Sequence, residues 1–95
     1  MNEYHRRMMN RPDHTPPWCS WCGAQSVTFH HIVPRSQGGK DGPRITLCGH
    51  GTAGCHGKAE DKRLHLKWDD GWWGLETAQP TKYDTALELE GWRKL

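Results

Sequence analysis

Ile45-Thr46-Leu47-Cys48-Gly49-His50-Gly51-Thr52-Ala53-Gly54-Cys55-His56-Gly57-Lys58 is the stretch that decides the fold. It opens on a short apolar-polar-apolar strand, runs into a thiol, and crosses a glycine-rich loop to a second thiol. An imidazole follows at once. Gly49, Gly51 and Gly54 supply the backbone freedom that a six-residue gap between two ligand cysteines requires. From His56 to Arg63 the residues are good helix formers, so a short helix is predicted to leave the second thiol directly.

Upstream, Trp18-Cys19-Ser20-Trp21-Cys22-Gly23 places two more thiols in a tight turn ending in glycine. Twenty-five residues separate Cys22 from Cys48. Between them Val27-Thr28-Phe29-His30-His31-Ile32-Val33 is β-branched and aromatic and is stopped by Pro34, which predicts a strand. The segment from Ser36 to Pro43 is a loop by composition, so the two strands pair as a hairpin with a long connection. That hairpin brings both thiol pairs together, and Cys19, Cys22, Cys48 and Cys55 form a closed tetrahedral site suited to structural zinc.

Composition favours the same reading. Only 34% of the 95 residues are hydrophobic, and the mean hydropathy is −0.96. Such a chain has little apolar surface to bury and needs a staple, and a tetrathiolate zinc site supplies on the order of 10 kcal/mol of folding free energy. The competing reading is a two-disulfide secreted domain. The first residues are polar with no apolar signal core, and no stretch approaches the length of a membrane span, so a cytoplasmic metal-binding domain is expected.

The net charge is +2. Residues 1–44 hold six Lys or Arg against three acids, and residues 45–95 hold seven against eight, a mild lean of positive charge toward the first half. This supports a nucleic-acid partner weakly.

His30 and His31 are adjacent on a predicted strand and must point to opposite faces. One can bind a metal while the other faces elsewhere in a cleft, and His56 is fixed in place by its neighbour Cys55. Two imidazoles on separate elements give a metal site with open positions for water and phosphate.

His30-His31-Ile32-Val33-Pro34-Arg35-Ser36-Gln37-Gly38-Gly39, then Leu47-Cys48, then Cys55-His56-Gly57-Lys58, resembles the HNH endonuclease family in its zinc-bearing form. The likeness covers residues 19 to about 60. It implies an α+β fold, the small ββα-metal domain in which a β-hairpin and a helix surround one catalytic divalent ion. Carried over, it makes His30 and His56 metal ligands and His31 the general base, with Mg²⁺ or Mn²⁺ as the catalytic ion and Ni²⁺ able to substitute in vitro. The implied activity is hydrolysis of DNA phosphodiesters to a 5′ phosphate and a 3′ hydroxyl. A non-catalytic zinc module that binds DNA on the same scaffold is the alternative.

The chain departs from the family pattern twice. Pro43 and Arg44 stand where the family has its middle asparagine, so backbone groups of the 38–44 loop would have to orient the base. Some members carry a further histidine one turn after the second ligand; here that position is Glu60, on the same helix face as His56 and able to complete the metal shell. Arg35, Lys58 and Lys62 are candidate DNA phosphate contacts, each weighed against an ordinary solvated side chain. By analogy, small proteins of this kind occur in phages and prophages, which suggests phage packaging or recombination proteins as partners.

Outside the motif, residues 1–15 read as a flexible arm and residues 16–95 as the nuclease domain. Within it, residues 61–95 are expected to form a hairpin, Leu64–Trp68 and Trp72–Leu75 about an Asp70-Gly71 turn, followed by a helix from Asp84 through Trp92. Of the six tryptophans, Trp18, Trp21, Trp68 and Trp72 or Trp73 are expected to cover the zinc site and sheet, with stacking on unpaired bases the other use. His5, His14, His50 and His65 are given no role.

Overall fold

A computed structural model of the chain describes residues 10–32, 42–50 and 53–95. Strand β1, Val27–His31, pairs antiparallel with β2, Arg44–Cys48, in a register that sets His30 opposite Ile45 and His31 opposite Arg44. Helix α1, Gly54–Glu60, follows. A second antiparallel sheet holds β3, Leu64–Trp68, β4, Trp72–Glu76, and a two-residue β5, Arg93–Lys94, with β4 in the middle. Helix α2, Tyr83–Leu87, lies between β4 and β5 in the chain. The architecture is α+β, with two separate antiparallel sheets.

Strand β2 runs through the core, with Ile45, Thr46 and Leu47 all buried. Ile45 and Leu47 are fully buried on one face, and Leu64, Leu66 and Trp72 of the second sheet join them. Ile32, Cys19 and Cys55 complete the cluster, so two of the four thiols are part of the core. Helix α1 packs on both β2 and β3 and ties the sheets together. Trp21 strengthens the junction by lying over Gly74 and donating its indole N–H to Glu76 at 2.9 Å.

Helix α1 begins two residues earlier than expected, at Gly54, and stops at Glu60 because Lys62 takes a φ of +60°. The hairpin of residues 64–76 forms as expected, with Asp70 and Gly71 both at positive φ in the turn.

Two expectations need correction. The helix expected over Asp84–Trp92 is only the five residues of α2. Lys82 is its N-cap, Asp84 falls in its first turn, and Gly91 at φ +104° redirects the chain so that Arg93–Lys94 pairs with β4. Part of the supposedly flexible arm is tied down. His14 bridges β2 by donating its N–H to the Arg44 carbonyl and accepting from the Thr46 N–H, and the Pro12 carbonyl accepts the Trp72 indole N–H at 2.7 Å. Two unsatisfied groups on a strand edge and an indole thereby find partners. Arg35, a candidate DNA contact, lies outside the described residues, as do residues 1–9 of the arm and most of the 36–43 loop. Among the described residues no helix is long and apolar enough to cross a membrane.

Candidate metal centres and the cleft

The four thiols converge from two knuckles. In the first, the Gly23 N–H donates to the Cys19 carbonyl and the Cys22 N–H points at Cys19 Sγ, 3.4 Å away. In the second, the Cys55 N–H points at Cys48 Sγ at the same distance. The long second gap closes because Gly49 and Gly54 take φ values of +79° and +63°. A Cβ on Gly54 would lie 2.6 Å from the Cys48 carbonyl oxygen, so a side chain there would push the knuckle open.

All four sulfur atoms lie within 4.8 Å of one another, and Cys22 and Cys48 approach to 3.5 Å. Zinc–sulfur bonds of ~2.3 Å in a tetrahedron set sulfur–sulfur edges of about 3.8 Å, so the cluster has the dimensions of such a site. Its electrostatics also suit a cation. Burial pushes the Cys19 thiol up, but backbone N–H groups of Cys22, Cys48 and Trp21 together outweigh it and hold that thiol down at about 6. Burial and the neighbouring thiols push Cys55 the other way, because a second negative charge in the cluster is opposed. No cysteine is in a disulfide. The four-cysteine group can hold a metal ion such as zinc.

The second cluster is built on the same framework. His30 from β1 and His56 from α1 meet edge to face, with ring centroids 4.9 Å apart. Glu60, one turn beyond His56, brings one carboxylate oxygen to 3.5 Å from His30 Nδ1 and 3.6 Å from His56 Nε2. These three side chains each offer a ligand atom within 4.8 Å of the others. Burial, reinforced by the neighbouring His56 and His31, drives His30 down to about 4, so its imidazole is neutral near pH 7 and keeps a lone pair for a ligand bond.

Thr28 completes the arrangement and escaped the sequence reading. Its hydroxyl lies 2.6 Å from the Gly49 carbonyl and 2.8 Å from His56 Nδ1. A hydroxyl has one proton. Given to the carbonyl, it leaves the hydroxyl oxygen to accept from His56 Nδ1–H, which directs the His56 Nε2 lone pair toward Glu60. Thr28 is two residues before His30 on the same strand face, and that spacing is the signal that could have found it.

His30, His31, His56 and Glu60 line one cleft of about 970 Å³, together with Phe29, Lys62 and His65. His31 sits on the face of β1 opposite His30, beside its register partner Arg44. His65, given no role from sequence, is buried and held below its ordinary value by that burial. Lys62 reaches the cleft, whereas Lys58 is engaged in an ion pair, its ammonium 3.1 Å from Glu76. Arg44 bonds Asp13 and covers the Phe29 ring. Comparison of the chain with protein-family models, curated proteins and solved structures finds no match.

Proposed function

We propose that the chain is a metal-dependent DNA endonuclease of the HNH type, a ββα-metal domain stapled by zinc on its four cysteines. The observation that carries this reading is the convergence of His30, His56 and Glu60 on one point of a cleft that His31 also lines. In that reading His30, His56 and Glu60 hold Mg²⁺ or Mn²⁺. When bound, such an ion supplies Lewis-acid polarisation of a phosphate and stabilises charge on the leaving 3′ oxygen.

The chain's own residues supply the rest. His31 takes a proton from the attacking water, a task suited to an imidazole as general base. Burial keeps His30 neutral, and Thr28 orients His56. The Cys48–Cys55 knuckle sets the start of α1, so closing the thiol site also positions His56 and Glu60. Lys62 at the cleft wall suits a phosphate contact, and a cytoplasmic setting fits free thiols.

The non-catalytic DNA-binding alternative draws on one observation, Arg44 in place of the expected amide and ion-paired to Asp13. Supercoiled plasmid incubated with zinc-loaded protein tests the reading, alone and with Mg²⁺, Mn²⁺ or Ni²⁺. Nicked or linear product that appears only with the added ion is expected. Plasmid left intact under every ion refutes hydrolysis.

A further inference from the structure

The cleft has an aromatic at its wall that neither metal cluster uses. Phe29 is 55% exposed, and with Trp18 it is one of two exposed large aromatic hydrophobes among the described residues. A ring of that size left open to water on a chain short of apolar residues forgoes burial that the core would reward. It also lines the cleft that contains His30, His56 and Glu60, and lies two residues before His31 on the same face of β1.

One face of the ring is already covered. The Arg44 guanidinium lies 5.0 Å from the ring centroid. It is held there twice by Asp13, whose carboxylate accepts the Arg44 backbone N–H at 2.8 Å and its guanidinium at 3.3 Å. The arm segment that carries Asp13 is itself fixed by the His14 bridge to β2. The ring is therefore backed by a cation that is ordered in advance, and its other face is open to stacking by a flat, π-rich partner.

Trp18 belongs to the same side of the hairpin. Its carbonyl accepts the Thr46 hydroxyl, and Thr46 is the register partner of Phe29.

We propose that Phe29, backed by Arg44, is a stacking platform for an unpaired nucleobase next to the phosphodiester in the cleft, so that the chain prefers single-stranded or frayed DNA to intact duplex. The proposal rests on the nucleic-acid reading above and names its substrate class. Bases inside a duplex present only their edges, and a base can offer its face to Phe29 only after leaving the stack. Ring stacking tolerates any base, so the platform selects strand state and not sequence.

The test measures the affinity of the full, zinc-loaded chain for a labelled single strand of about 12 nucleotides and for the matching duplex, with no other divalent ion, by fluorescence anisotropy. Phe29→Leu keeps bulk and removes the π face; Phe29→Trp keeps the face. Zinc content and melting temperature are read on each variant. The expected result is tighter binding to the single strand, a loss of roughly tenfold for that strand in Phe29→Leu with little change for the duplex, and recovery in Phe29→Trp. Unchanged single-strand affinity in Phe29→Leu, or an equal loss on both DNA forms, overturns the platform. If the same protein cuts plasmid, the hydrolytic reading survives that result; a wild-type chain that binds neither DNA form overturns both.

Discussion

As the proposed metal ligand, His56 needs its Nε2 lone pair free, and the Thr28 hydroxyl beside Nδ1 favours the tautomer that leaves it so. Thr28 passes its proton to the Gly49 carbonyl and accepts from His56 Nδ1–H, so replacing it with valine keeps the shape and removes the acceptor. Thr28→Val is expected to weaken Mn²⁺ binding by about 10- to 100-fold with little effect on thiol-bound zinc, and Thr28→Ser to restore it. Isothermal titration of the zinc-loaded protein with Mn²⁺ measures this, and equal affinities for wild type and valine variant would remove Thr28 from the account. His30, His56 and Glu60 were legible through the resemblance to the HNH family, and the fold brings them together as a group that could hold a metal ion. Thr28 and Phe29 were not, since a hydroxyl or a phenyl ring acquires a role only from what the register sets beside it.

The elements divide by how local their causes are. Both hairpins could be read from the chain: β-branched and apolar residues mark β1 and β2, and in the second hairpin period-two apolarity and an Asp-Gly turn act within a few residues. The C-terminal segment could not: Asp84 and Leu87 suggest a helix, but Gly91 and an open edge on β4 make a strand of Arg93–Lys94. Likewise the docking of residues 12–14 depends on an edge of β2 and an indole of β4 that are remote in sequence. One junction between elements can be tested directly. A Cβ added at Gly74 would sit 2.8 Å from the Trp21 ring, so Gly74→Ala must displace the first knuckle from the second sheet. Intrinsic strand preference alone favours alanine over glycine there. We expect the packing term to win, with a destabilisation of about 1–3 kcal/mol in urea unfolding; a more stable variant would show that the knuckle does not depend on this contact.

At the scale of the whole molecule, two buried thiols sit inside the hydrophobic cluster, and the remaining core is a handful of aliphatic residues and Trp72. Removing the metal would leave the thiols of one crowded cluster to be protonated and repacked. Chelation of zinc, or Cys48→Ser, is therefore expected to abolish cooperative unfolding monitored by tryptophan fluorescence, and retention of a sharp transition without metal would contradict a stapled core. The sequence anticipated a four-cysteine group able to hold a metal ion, while the substrate preference inferred for Phe29 rests on Arg44 and Asp13 beside the ring. In the proposed function this cleft hydrolyses phosphodiesters with His31 as base. Its most direct test is the rate of plasmid cleavage by His31→Ala against wild type in Mg²⁺, with zinc content and DNA affinity measured on the same preparations. A loss of about 10² to 10⁴ in rate with zinc and affinity unchanged is expected; a variant that cuts as fast as wild type would rule out His31 as the base.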